Sequence, residues 1–427
     1  MRNRFMKRAG LGLALSAALA LGACGSGGEA TSSSGPAVGE LTVETTFGST
    51  AITDTVKAFE RANPKVHVKV IQTNLPEMDA TLPLQLRAGR APDVVYSTLG
   101  FGEPIGVQNL APKGLLTDLS DQPWAKDVPD TVRFSITQGG KVYAYPTDTI
   151  LLGGIYDKKV FARLGIEPPK TFSDVLALCR RATSEGLVGI SVGGLDSYPL
   201  MLAHYPIVAS TAFVENPNFS RDRLDDKVTF AGSPGWVESI DRMNQLNHAG
   251  CFGPSVLGVS WDEANRRFAV GKALMMATGN SLLPAIRNFN PHGDFAMFPF
   301  PGTDDAADMR VPFGPSVGLI VPSSAKHKEL AVRFLAFAAT AFPRFARQTG
   351  TIPAMSSHAG ADLPPYAQSL APYLKDNETA PLFNDYWPNP EVSQRYRDGM
   401  AAMFLGKSDP LAISKQMDDV WTSTVPR

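Results

Sequence analysis

The first place where this chain could do chemistry is Gly139–Lys158, GGKVYAYPTDTILLGGIYDK. A Gly-Gly turn leads into Val142 and Ala144 alternating with Tyr143 and Tyr145, the period-two pattern of a strand. Pro146 has no N–H to give to a ladder, so the strand is expected to stop there and a second one to start in the apolar run Ile150–Tyr156. Tyr145, Thr147, Asp148 and Thr149 stand at that break. Aromatic and polar side chains gathered where a chain leaves one sheet for another point to a cleft. Bond-breaking chemistry finds less support. Gly314-Pro315-Ser316-Val317-Gly318 has the spacing of a hydrolase nucleophile elbow, but an elbow needs a helix after its serine, and Leu319-Ile320-Val321-Pro322 reads as strand. His67, His204, His248, His292, His327 and His358 form no metal-binding spacing, and no phosphate loop is present. No cofactor, metal or nucleotide is expected.

The elements that must hold such a cleft read as an α/β protein. At 427 residues the chain exceeds one core and suits two lobes, and 44% hydrophobic with 19% charged residues is the composition of a folded soluble protein. Glu40–Thr46 alternates as a strand, Thr50–Ala62 carries apolar residues at helical spacing, and Val66–Ile71 alternates again. Asp79–Ala88 reads as a helix despite Pro83, and Asp93–Tyr96 as a short buried strand. This order predicts a parallel sheet with crossover helices. Further on, Thr171–Asp174 and Ser260–Glu263 have the form of capping boxes opening helices. Gly189–Val192, Ala273–Ala277, Phe295–Phe300 and Gly318–Val321 read as strands. Lys326–Thr340, Val392–Phe404 and Leu411–Trp421 read as helices. Trp124, Trp236 and Trp261 read as packing residues near helix starts. Cys179 and Cys251 can pair as a disulfide outside the cytoplasm or remain two buried thiols.

The N-terminus reads as an address. Arg2, Arg4, Lys7 and Arg8 precede the apolar run Ala9–Ala20, too short to span a bilayer comfortably, which fits a secretory signal over residues 1–23. Leu21-Gly22-Ala23-Cys24 resembles the lipobox of bacterial lipoproteins, which implies that Cys24 carries the lipid and becomes the mature N-terminus. Acyl chains contribute about 0.8 kcal/mol per buried CH₂. Residues 24–40 are a Gly/Ser-rich tether of typical reach roughly 20–24 Å. Loss of residues 1–23 takes the formal charge from −1 to −5, which gives no footprint for nucleic acid.

A family resemblance joins these pieces. Lys57-Ala58-Phe59-Glu60 with Asn63-Pro64, Ala88–Val95, Gly140–Pro146, Ile155–Lys158, Leu164–Ile166, Pro168–Phe172, Phe268–Met276, Lys328–Leu335 and Gly350–Pro353 occur in an order that resembles the extracellular solute-binding proteins of ABC importers, in the branch for sugars and oligosaccharides (the family 1 type). The resemblance implies a two-lobed, periplasmic-binding-protein-like α/β fold of type II with three hinge crossings, near Pro146–Ile150, Phe300–Phe313 and Thr349–Ser357. Lobe 1 is then 41–148 with 313–352, lobe 2 is 149–300 with 353–427, and 301–312 is a crossing loop. It further implies a non-enzymatic, monomeric receptor on the outer face of a bacterial membrane that hands its ligand to permease subunits.

A carbohydrate site needs carboxylates and amides for hydroxyls and rings for the flat C–H faces. At strand ends and crossings the expected ligand residues are Phe47, Gly48, Ser49, Thr98, Tyr145, Asp148, Asp196, Tyr198, Asn280, Gly314, Ser316, Tyr386 and Trp387. Asn280 departs from the family, which often has an aromatic near this point. Two other readings stand beside this one. A receptor for glycerophosphodiesters or other polar solutes would need an Arg or a helix N-terminus at the cleft, for which Arg133 and Arg287 are candidates. A lipid-anchored glycoside hydrolase would need a facing carboxylate pair, about 5–5.5 or 6.5–9.5 Å apart, for which the sequence has no signature.

Overall fold

In the computed structural model, which describes residues 38–196, 198–355 and 363–424, the first alternating and amphipathic stretches form a βαβαβ unit. β1 (Val38–Thr46), the helix Thr50–Ala62, β2 (Lys65–Thr73), the helix Leu75–Arg87 and β3 (Val94–Thr98) follow in order. β1 pairs in parallel with both β2 and β3. The second helix starts at Leu75 rather than at Asp79, because Asn74 caps it by accepting from the Glu77 N–H at 2.9 Å. The signal segment, Cys24 and the tether up to residue 37 lie outside the described residues, as do residues 356–362 of the third expected crossing.

A short hairpin, β4 (Thr137–Gln138) and β5 (Lys141–Val142), turns through Gly139 and Gly140, both at positive φ. The expected break at Pro146 does not occur. β6 runs unbroken over the 14 residues Ala144–Asp157. Its first half pairs antiparallel with β10 (Val311–Ile320), from Ile320↔Ala144 to Phe313↔Leu151. Its second half pairs with β8 (Ala273–Gly279) and β9 (Phe295–Phe298), while β7 (Val188–Ile190) lies beyond β8. Proline is tolerated because around Pro146 the strand has β10 along one side only and the register slips at Pro315/Val317 and Val317/Gly318, so the missing N–H falls at an edge beside a bulge. β11 (Ile352–Pro353) adds to β6 at Thr149 and Asp148, and β12 (Thr379–Ala380) to the start of β10. One sheet path, β2-β1-β3-β10-β6-β8-β7, therefore serves two ends of the molecule.

Two bodies of apolar packing sit on those two ends. The first gathers Leu41–Tyr145 with Leu319–Ala346, where Phe59 meets Phe334 edge-on at 5.2 Å beneath the helix Lys328–Thr349. That helix extends past the expected Thr340 through Pro343. The second gathers Ile150–Phe300 with Ala380–Trp421 around Trp236, and a neighbouring cluster adds Leu363–Leu374. Each aromatic ring enclosed in this way contributes roughly 1.5–3 kcal/mol of burial. Cys179 and Cys251 form a disulfide with 4.8 Å between Cα atoms, tying the helix Phe172–Ser184 to the turn after the helix Pro234–His248. Thr171 and Asp174 make a complete capping box, whereas Glu263 pairs with Arg266 and leaves Ser260 to cap alone. The tail forms the helices Pro390–Phe404 and Pro410–Thr424. Among the described residues no helix is long and apolar enough to cross a membrane.

Candidate functional site

β6, β10 and β11 meet at Asp148, whose backbone lies opposite Val317 on one side and Pro353 on the other. Enclosure without a cation pushes its carboxyl up to about 7, against a smaller opposing hydrogen bond involving Thr147. One of its oxygens, Oδ1, is buried with no hydrogen-bond partner. The Asp148 charge also reaches the phenols of Tyr96 and Tyr145, which burial already holds in their protonated form. Tyr96 in turn hydrogen-bonds Thr46, whose hydroxyl meets that of Ser49 at 2.8 Å. Thr98, at the end of β3, has a buried Oγ1 without a partner. Polar groups are thus collected where three strands of the sheet converge.

A second group adjoins the first. Tyr198 is held protonated mainly by burial, then by Glu103 and Asp385, while Arg397 opposes and Tyr96 adds to the effect. Asp79, on the helix Leu75–Arg87, is raised to about 7 by burial and by Glu103, with Arg397 acting the other way. Asp385 is pushed well above the usual carboxylate range by burial and then by Glu103. Glu103 is raised by burial against the pull of Arg397, whose Nη1 lies 3.3 Å from Glu103 Oε1. Tyr198 stacks on Trp261 with 5.9 Å between ring centres, and the Tyr205 hydroxyl bonds Asn384. Three carboxylates, Asp79, Glu103 and Asp385, share this neighbourhood with Arg397, and tyrosine rings are interleaved with them, the Arg221 guanidinium lying over the Phe134–Tyr386 stack.

The expected residues divide. Asp148, Thr98, Ser49 and Tyr198 belong to these groups. Tyr386 adjoins Asp385 and stacks on Phe134 with 4.3 Å between ring centres and 9° between planes. Tyr145 does not line a cleft: it is fully buried in the first apolar body, edge-on to Trp124 at 5.2 Å. Trp387 is likewise a packing residue of the second, against Phe383 and Trp236. Asn280 is spent on the scaffold, accepting from the Leu151 N–H at 2.8 Å. Asp196 sits in a 3-10 turn, where its carboxylate accepts the Trp261 N–H at 2.6 Å, and Tyr198 opens a largely buried helix that runs to Ser210. Gly314 and Ser316 lie within β10, Gly314 opposite Ile150, and the Ser316 carbonyl accepts the Leu99 N–H at 3.2 Å. The run after Ser316 is strand, which removes the elbow reading. Phe47 is 67% exposed and Gly48 makes the turn after β1 at φ +84°. Missed by the sequence reading were Asp79, Tyr96, Glu103, Asp385 and Arg397. Tyr96 and Asp385 each adjoin a stretch that was marked, but Asp79 and Arg397 sit on helix faces that pattern alone leaves exposed.

Comparison with known proteins decides the family. The profile of bacterial extracellular solute-binding proteins matches residues 44–341, well over half of the chain. The chain belongs to that family. Over 287 residues it is 25% identical to the multiple sugar-binding protein of Streptococcus mutans, covering 67% of each chain. Over 363 residues it is 24% identical to the melibiose/raffinose/stachyose-binding protein MelE of Bacillus subtilis, covering 82% of each. Among solved structures, a solute-binding protein RafE in complex with raffinose superposes with a TM-score of 0.72 at 19% identity, over 90% of this chain and 99% of that one. That last likeness is one of fold: a two-lobed α/β solute-binding protein. As a member of an extracellular family, the chain works outside the cytoplasm.

Proposed function

We propose that this solute-binding protein captures a sugar or oligosaccharide between its two lobes and delivers it to the permease of an ABC importer. The observation that carries the reading is a pair of half-buried carboxylates, Asp148 on β6 and Asp79 on the helix Leu75–Arg87, each with one enclosed oxygen that has no partner, in a neighbourhood rich in tyrosines. A sugar hydroxyl is the neutral donor such an oxygen needs, and a tyrosine ring suits the C–H face beside it. The names of the relatives, which describe sugar-binding proteins, point the same way. In this reading the lobes move about β6, β10 and the connection through β11. Closure draws its energy from the ligand's greater affinity for the closed form.

The finer assignments belong to the same proposal. Residues 1–23 are a signal peptide, Cys24 carries the lipid, and a monomer works a tether's length above the membrane. No bond of the ligand is broken. A phosphodiester ligand is disfavoured because Arg397 is engaged by Glu103 and the Arg221 guanidinium lies over the Phe134 and Tyr386 rings. A thermal-shift panel on residues 30–427 tests the reading with mono-, di- and trisaccharides beside glycerophosphodiesters. A ligand at 100 times its Kd should stabilise by about 2.7 kcal/mol. A panel in which no carbohydrate moves the midpoint, or only a phosphodiester does, would defeat it.

A further inference from the structure

The two lobes also touch each other through groups that leave no room for a ligand between them. Leu99-Gly100-Phe101-Gly102-Glu103 leaves β3 and is held on its own lobe: the Gly100 N–H reaches the Ser135 carbonyl at 3.0 Å, and the Asn109 amide donates to the Glu103 carbonyl at 2.8 Å. Its other side meets the lobe that contains Phe383, Trp387 and Tyr396. The Phe101 N–H donates to the Asp385 carbonyl at 2.9 Å, the buried Ser393 hydroxyl donates to the Gly102 carbonyl at 2.9 Å, and Arg397 pairs with Glu103 at 3.3 Å. The approach requires glycine. A Cβ on Gly100 would stand 2.7 Å from Asp385 Cβ, and one on Gly102 would stand 2.8 Å from the Asn384 carbonyl oxygen. Beside them, Phe134 of one lobe stacks on Tyr386 of the other, with the Arg221 guanidinium 4.8 Å from the Phe134 ring centre.

We propose that Gly100, Gly102 and Glu103, with Asp385, Ser393 and Arg397, form a clasp that joins the lobes without ligand and sets the affinity for every ligand by a common factor. These are positioning residues. Each contact is complete in protein atoms alone, so it favours the joined arrangement whether or not a solute is inside. Whatever fraction of the free protein is already joined scales the apparent Kd of any solute equally. The proposal rests on the receptor reading above in assuming that the lobes part to admit a solute.

Spin labels on Lys69→Cys and Lys407→Cys, exposed positions on the two lobes, read the lobe separation in the ligand-free protein. The clasp predicts a short-distance population in the parent, which Gly102→Ala reduces and Ser393→Ala reduces less. Titration with raffinose and with maltotriose should then give Kd values raised by one shared factor, about 3–10-fold for the loss of a single hydrogen bond in Ser393→Ala. The idea is overturned if the ligand-free parent shows no short-distance population, or if Ser393→Ala and a folded Gly102→Ala both leave that population unchanged. Factors for the two sugars that differ more than threefold would also overturn it, since the residues would then be touching ligand. Where either sugar does not bind, two carbohydrates that shift the midpoint in the thermal panel replace them; a panel with none counts against the receptor reading, and the ligand-free distances still decide the clasp.

Discussion

Asp148 shows how burial prepares a carboxylate to receive a hydroxyl. Held up to about 7, it binds a proton in the fold that it has already lost in the unfolded chain at pH 5–6. The native state therefore holds more protons between pH 4 and 7, and stability falls as pH rises across that window, levelling off above it. Asp148→Asn removes that cost. It should raise the stability of the ligand-free protein at pH 8 by about 2–4 kcal/mol and leave it nearly unchanged at pH 4, as read by urea midpoints at the two values. An equal effect at both values would show that Asp148 is not held protonated. The contrast with Tyr145 is instructive. Both residues were expected at the cleft because Pro146 was read as a break. The strand continues instead, with irregular pairing to β10 between Pro146 and Asp148, and Tyr145 packs into the first apolar body against Trp124.

Elements with a clear period were legible in the sequence. β1, β2, the helix Thr50–Ala62 and the two C-terminal helices form close to where alternation or helical spacing put them. The helix Tyr198–Ser210 was not legible, because it is buried on all sides and so has no apolar face to mark its period. Among the candidate site residues, those at strand ends such as Thr98 could be placed, whereas Asp79 and Arg397 meet only when distant helices fold against one loop. Sequence also left open the pairing of Cys179 with Cys251, across a separation of 72 residues. Cross-linking so long a loop should stabilise by about 2–4 kcal/mol. Reduction, or Cys179→Ala with Cys251→Ala, should lower the unfolding midpoint accordingly, and an unchanged midpoint would mean that the bond is not formed or does not constrain the unfolded chain. Since both cysteines lie in the second apolar body, away from Asp148 on β6, ligand affinity in the folded variant should stay within about twofold of the parent.

For the molecule as a whole, one sheet path is shared by two apolar bodies, and in the proposed reading it is the connection that bends while the carboxylates and tyrosines beside the shared strands close upon the ligand. β6 contributes buried residues to both bodies, and β10 to the first and to the cluster neighbouring the second, so the proposed closure would bend these two strands while each core keeps its packing. On the proposed function, bound solute would supply the missing partners of Asp148 and Asp79 and draw the lobes together. Isothermal titration of residues 30–427 with a panel of neutral oligosaccharides, beside the same titration of Asp148→Ala, tests this most directly. The expected result is one-to-one binding of at least one sugar, recovered unaltered afterwards, with affinity in Asp148→Ala reduced about tenfold, the order expected when one hydrogen-bonding partner of the ligand is lost. Binding of equal strength in Asp148→Ala, or sugar returned cleaved, would contradict it.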